Sequence, residues 1–257
     1  MRKGFRLYLQ LAANDLRLRY AGSVLGVLWA FALPAVTLLI FRFVFEEGFR
    51  NGPVRSVPYL LWFASAYIPW TFFCDAISQE CGCLAEYGSL VRKMDFPVGL
   101  LPAVKAGASL LVHTVLIAVL FGMALAAGLS PSVSWLQLFY YEAAGFFLAL
   151  GLGYFSSAVT VFFRDNISLT SLLLQAGFWA TPIVWDLESV SGGPVRRVLE
   201  HNPFFYVTEG YRDSLLGGKP FWEKGGQNLY FWSLSLGLLL AGGAVFARLR
   251  PFFADEL

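Results

Sequence analysis

VKAGASLLVHTVLIAVLFGMALAA, residues 104–127, decides the fold class. After Lys105 its only ionisable side chain is His113. A helix needs about 20 apolar residues to cross a hydrocarbon core ~30 Å thick, and this stretch has that length and character. Comparable stretches lie near 23–45, 59–78, 136–163, 167–185 and 229–247. A soluble domain of 257 residues could not keep so much apolar surface away from water. The expected architecture is an all-α integral membrane protein, a single domain over 1–257, with six transmembrane helices at 23–45, 59–78, 98–127, 135–163, 167–187 and 229–247.

Composition agrees. The chain is 57% hydrophobic and 14% charged, with a mean hydropathy of +0.61, whereas soluble domains carry about 25% charged residues. It holds 25 Phe, 8 Trp and 11 Tyr, which suits interfacial belts and also a path for a ligand with flat apolar faces. A net charge of +2 gives no reason to expect a nucleic-acid partner. Cys74, Cys81 and Cys83 have no histidine nearby in sequence, so they read as plain thiols and no metal site is expected. Ala30-Phe31-Ala32 imitates a cleavage signal, but a long polar lead-in precedes the apolar run, so an uncleaved first span is expected.

The segments between the spans carry their own signals. Over 4–20, Phe5, Tyr8, Leu9, Ala12 and Leu16 recur at helical spacing opposite Arg6, Gln10, Asn14 and Arg17, as in an interfacial amphipathic helix. Residues 79–97 form the most polar internal connection on the same side. The segment 186–226 is broken at Gly192-Gly193-Pro194, Asn202-Pro203 and Gly217-Gly218, so two short re-entrant or surface helices are expected there. An even number of spans puts both termini on one side, and the cationic cluster in the first twenty residues favours the cytoplasm.

Signatures of catalysis are missing. Gly217-Gly218-Lys219-Pro220 lacks the Ser or Thr of a phosphate loop, and no Gly-x-Ser-x-Gly elbow occurs. His113 and His201 are far apart, and the carboxylate pairs Glu46-Glu47 and Asp255-Glu256 sit at span ends or tails. Ionisable groups inside the spans are few; Glu142 and His113 are the candidates considered, and no relay suggests proton coupling.

Five landmarks occur in a fixed order: NDLRLRYAGSVLGVLWAFALP (14–34), SLVRKMDFP (89–97), VFFRDN (161–166), ATPIVW (180–185) and HNPFFYVTEGYRD (201–213). In that order they resemble the permease subunit of polysaccharide ABC exporters, the group that moves O-antigen, capsule or teichoic acid chains. The resemblance implies an inner-membrane, non-enzymatic subunit that works as two copies beside an ABC ATPase, which binds ATP and Mg while this chain holds no cofactor. It implies ATPase-coupling contacts at Glu86, Tyr87, Arg92 and Lys93, and a gate in 186–226 that includes Asn202, Pro203, Tyr211 and Arg212. Aromatic rings can stack on the CH faces of a sugar, so Trp29, Phe31, Trp62, Tyr67, Trp70 and Trp179 are candidates for the channel lining. The rival readings are an exporter of a drug or lipid, and a membrane enzyme acting on lipid-linked sugars.

Overall fold

The computed structural model describes residues 2–50, 52–92, 96–189 and 192–257. Among them there are helices and turns but no strand. Helix α1 (Arg2–Arg19) comes first. Gly22 and Gly26 then take left-handed backbone, φ +84° and +51°, which a side chain would strain. They redirect the chain into α2 (Trp29–Arg42), which a tighter turn precedes and a wider one, Phe43–Gly48, prolongs. The remaining helices are α3 (Tyr59–Glu86), α4 (Gly88–Val91), α5 (Leu100–Ala126), α6 (Gln137–Phe162), α7 (Asn166–Ala180), α8 (Pro194–Glu200), α9 (Pro203–Leu216), α10 (Gly225–Leu249) and α11 (Phe253–Glu256).

Among the described residues five segments are long and apolar enough to cross a membrane: Gly26–Gly48, Tyr59–Glu86, Leu100–Ala126, Val133–Phe162 and Gly225–Glu256. The stretch expected to span at 167–187 instead forms α7, a helix of 15 residues, about 22 Å at 1.5 Å per residue. It stops at Ala180 because Thr181 precedes Pro182, and the proline ring drives the residue before it out of the helical region. Thr181 is accordingly extended, with ψ 136°.

The second expected span differs in the other direction. Helix α3 has 28 residues, about 42 Å of helix, so it outruns a ~30 Å hydrocarbon core. Residues 79–86, expected within a polar connection, are its last two turns. The connection proper starts at Tyr87 and contains α4, while Lys93, Met94 and Asp95 fall outside the described residues.

Helix α3 is the core of the bundle. Trp62, Phe63 and Ile68 are at most 1% exposed and pack among Tyr141, Leu148 and Ala149 of α6 and Leu116 and Ile117 of α5. Helix α2 lies outside, joined to α3 by stacked rings: Phe41 on Phe63 at 4.3 Å and Phe45 on Tyr59 at 5.0 Å. Both chain ends reach one end of the bundle. There Phe253 is buried with Cys83, Leu84, Val98, Leu101, Val161 and Phe246, and α1 lies against α5. At the opposite end Tyr206 stacks on Phe231 at 4.6 Å and Tyr140 on Phe221 at 4.0 Å, which joins α9 to α6 and α10.

Helices α6 and α10 approach through glycine. A Cβ on Gly151 would sit 2.8 Å from the Leu239 backbone nitrogen, and one on Gly242 would collide with the Gly151 carbonyl oxygen. Small residues let helices meet backbone to backbone in lipid, where close packing replaces the hydrophobic effect as the driving force. Gly242→Ala is therefore expected to lower the unfolding midpoint in detergent, at a cost of about 1–3 kcal/mol. A Cβ on Gly243 meets nothing within 4 Å, so Gly243→Ala should gain about 0.5–1 kcal/mol from helix propensity. Parallel melting curves give both signs, and equal effects would contradict the seam.

Candidate functional site

Two polar constellations stand out, one at each end of the bundle. The first fastens α1 to the end of α3 and the start of α5. Positions 8, 12, 15 and 19 fall on one face of α1. Ala12 is 1% exposed, and Tyr8 lies over Gly107 of α5, where a Cβ would overlap its ring. Asp15 and Arg19 continue the same face as an (i, i+4) pair at 2.9 Å. The outward face carries Arg6, Gln10, Asn14 and Arg17, the polar stripe expected from the sequence.

At the centre is Lys105, whose side chain has no solvent exposure. Its Nζ donates to Asp15 at 2.8 Å and to Glu86 at 2.7 Å, and sits 5.1 Å from the centre of the Tyr87 ring. The Tyr87 hydroxyl donates to Asp15 at 2.7 Å. Arg19 reaches Asp75 at 3.0 Å and the Lys105 carbonyl oxygen at 3.0 Å. A buried charge is tolerated only when it is paired and hydrogen-bonded, and here each cation meets a carboxylate. Burial alone would raise the Asp15 carboxyl, but hydrogen bonds from Lys105 and Tyr87 and the Arg19 charge outweigh it and hold the group below the usual carboxylate range.

The expected coupling residues therefore divide. Glu86 and Tyr87 turn inward to this network, although the Glu86 side chain keeps 53% exposure. Arg92 is exposed, and Lys93 lies outside the described residues. Sequence reasoning did not single out Asp15, Arg19, Asp75 or Lys105 as site residues. The available signal was the position of Asp15 and Arg19 on the otherwise apolar stripe of α1.

The second constellation is built on Arg212 of α9, which is 0% exposed. Its guanidinium lies 3.7 Å from the centre of the Trp62 ring and donates to the carbonyl oxygens of Pro182 at 2.7 Å and Ile183 at 3.0 Å. Those carbonyls were released when α7 ended before Pro182. The planar fork of arginine suits two such acceptors while stacking on an aromatic face. Nearby, Arg55 pairs with Asp186 at 3.0 Å and also with Glu209. The tight turn that presents it places Arg55 and Ser56 at φ 48° and 65°, an arrangement that non-glycine residues rarely adopt.

The other expected gate residues converge on the same region. Asn202 caps α9, accepting from the Phe204 N–H at 2.9 Å, and donates to the Thr181 hydroxyl at 2.8 Å. Pro203 opens the helix, where its missing N–H costs nothing. Tyr211, also 0% exposed, meets Nε2 of His113 at 2.8 Å. Glu142 accepts from Thr114 at 3.1 Å. Helix α9 is thus built into the bundle, while α8 remains largely exposed.

The candidate channel aromatics occupy three kinds of place. Trp62 and Trp70 are enclosed, at 1% and 5% exposure. Phe31 and Tyr67 are half-buried. Trp29 and Trp179 lie on the outside at 52% and 61%. Arg164 and Asp165 form the short turn before α7, and among the described residues no ion pair joins them.

The order of these pieces has counterparts in known proteins. Two proteins described as O-antigen export system permease protein RfbA, both from Klebsiella pneumoniae, are 25% and 26% identical to this chain over 254 residues, 98% of this chain and 95% of the relative. A protein of the same description from Myxococcus xanthus is 25% identical over 265 aligned residues, with the same coverage. Residues 6–216 match the profile of the ABC-2 type transporter family, from α1 through the end of α9 and so across both constellations. The chain belongs to the ABC-2 type transporter family.

Proposed function

We propose that this chain is the transmembrane subunit of an ATP-driven exporter that moves a polysaccharide, O-antigen-like and carried on a lipid, across the cytoplasmic membrane. The observation that carries the reading is collinearity. Relatives described as O-antigen export permeases align with 98% of the chain, including both polar constellations and the helices between them. The chain is not an enzyme on this reading. A separate ABC ATPase binds ATP and Mg, and a second copy of the chain completes the path.

Six crossings fit the geometry. Helix α6 ends beside the chain termini, and α10 starts at the opposite end of the bundle. On this reading the chain crosses between them through α7 and the extended turn after it. With both termini cytoplasmic, α1 lies along the inner headgroup layer and α8 and α9 form the re-entrant gate at the exit. The overhanging end of α3 at Glu86, with Tyr87 and Arg92 shortly after it, is then the part that the ATPase can grip, and Lys93 is a candidate contact by its place in the sequence. A push there reaches α1 and α5 through Lys105. Reconstituted alone, the chain should neither hydrolyse ATP nor carry glycan, whereas with its ATPase it should do both. Uphill glycan transfer by the isolated subunit would overturn the reading.

Lys105→Met removes the cation that Asp15 and Glu86 share; Asp15 keeps Arg19 and Glu86 is half exposed, so the expected cost is about 1–3 kcal/mol. The variant that still assembles should show ATP hydrolysis no longer matched by glycan transfer, measured side by side in proteoliposomes. Arg212→Lys should not preserve the gate, because the shorter side chain lacks the planar fork that donates to both carbonyls while lying flat on the Trp62 ring. Its expected signature is a lower melting midpoint with glycan leak or failure of export.

Acid should undo the α1 attachment. The Asp15 carboxyl lies below its unfolded value, so its contribution is complete above about pH 4 and is lost as the pH falls through the lower folded value. The stability gap between the unmodified chain and Asp15→Asn should therefore be widest above about pH 4 and close in stronger acid, as read from melting curves across pH.

A further inference from the structure

Between α2, α3 and α5 lies a cavity of about 160 Å³ that neither polar constellation requires. It has room for about five waters at ~30 Å³ each, or one sugar ring. Its walls are unlike those of the other cavities in the spanning region. The crevice beside α7, about 450 Å³ and lined by residues such as Leu148, Leu169 and Leu173, is almost wholly apolar. This one combines Tyr20, Trp29 and Tyr67 with Thr71, Asp75 and His113.

Asp75 is the deciding residue. It belongs to a membrane-spanning helix, where a carboxylate is expensive and marks a functional surface by default. Its Oδ2 is engaged by Arg19 and Ser109, whereas Oδ1 has only a 3.5 Å contact from Gln79. The side chain stays 42% exposed and lines the cavity. A structural ion pair would be expected to bury both partners, yet Arg19 is 9% exposed while Asp75 is open. Arg19 thus holds one carboxylate oxygen and leaves the other available as an acceptor. The inner wall adds His113, 1% exposed, whose Nδ1 has no hydrogen-bond partner among the described residues while Nε2 is taken by Tyr211. Trp29, 52% exposed, forms a flat apolar lip.

We propose that this cavity is a saccharide-binding subsite: Asp75 accepts from sugar hydroxyls, and Trp29 and Tyr67 stack on the CH face of the ring. The chemistry follows from the ligand's two surfaces. A pyranose offers donors around its edge and apolar CH groups on its face, so it is held by a carboxylate beside aromatic rings. A charge-assisted hydrogen bond is stronger than a neutral one, and the aromatic lip adds area without demanding one orientation. The assignment rests on the exporter reading above and extends it by locating where the glycan is held on the α1 side of the bundle.

Photo-crosslinking in cells that carry the whole transporter and make its glycan tests the assignment. A benzophenone amino acid replaces Thr71, which lines the cavity, or Leu240 of α10, which is 74% exposed on the outside of the bundle. Carbohydrate attached to the purified chain is then stained. The expected result is a glycan adduct at Thr71 and none at Leu240, in a chain that still exports. Asp75→Asn should lower the yield about tenfold. Because Asp75 also holds Arg19, Trp29→Ala is the independent variant, and it should lower the yield about fivefold with α1 undisturbed. Equal adducts at the two positions, only phospholipid adducts at Thr71, or yields unmoved by both variants would overturn the subsite while leaving the exporter reading intact. Absence of glycan export by the unmodified transporter would overturn both.

Discussion

An ammonium group with no access to water, that of Lys105, is the point on which the membrane-proximal end of the bundle depends. Taking it out of solvent is costly, and the cost is offset only while two carboxylates from two other helices stay within 3 Å. That condition fixes the place of α1, the overhanging end of α3 and the start of α5 relative to one another. Apolar packing alone would leave their register loose, because lipid competes equally well for an apolar face. Charge pairing is directional and does not tolerate a slip of one turn.

The far end solves the same problem by seating Arg212 on neutral carbonyls and a ring face, with the Glu209 carboxylate at 3.4 Å. Arg212 draws on carbonyls that exist only because α7 is cut short at Thr181-Pro182. A backbone group left without a partner at membrane depth costs several kcal/mol, so the interruption of α7 and the burial of Arg212 belong to one arrangement. The broken helix supplies acceptors, the arginine satisfies them, and the Trp62 ring shields the charge. The result ties α9, α7 and α3 together at that end of the bundle.

Much of the fold was legible because hydropathy is a strong signal over twenty residues. The positions of α2, α5, α6 and α10 follow from apolar runs, the turn into α2 from Gly22 and Gly26, and the start of α9 from Asn202-Pro203. The end of α3 was not legible. Gln79, Glu80 and Glu86 lower the local hydropathy, and a polar stretch reads as a loop although the helix simply leaves the apolar layer. The length of α7 was missed for the opposite reason: 167–185 carries no charged residue and is mostly apolar, and apolarity does not reveal that Pro182 stops the helix. The networks were hidden because their members lie far apart in the chain. Asp15, Asp75, Glu86 and Lys105 meet only after folding, and each read alone is a charge near a helix end. Glu86 and Tyr87 were legible as important positions, but not as residues turned inward.

The glycine seam between α6 and α10 has a mechanical consequence. Where two backbones touch, neither helix can rotate or slide without driving a carbonyl into its neighbour. Helix α10 is 25 residues long, about 37 Å, and its foot is packed by Phe246 and Phe253 while its head meets the Tyr206–Phe231 stack. Joined to α6, it behaves as a stiff strut. Thrust applied at the terminal end would arrive at the opposite end with little lost to bending, and the compliance of the molecule falls to α2 and α7 at its periphery.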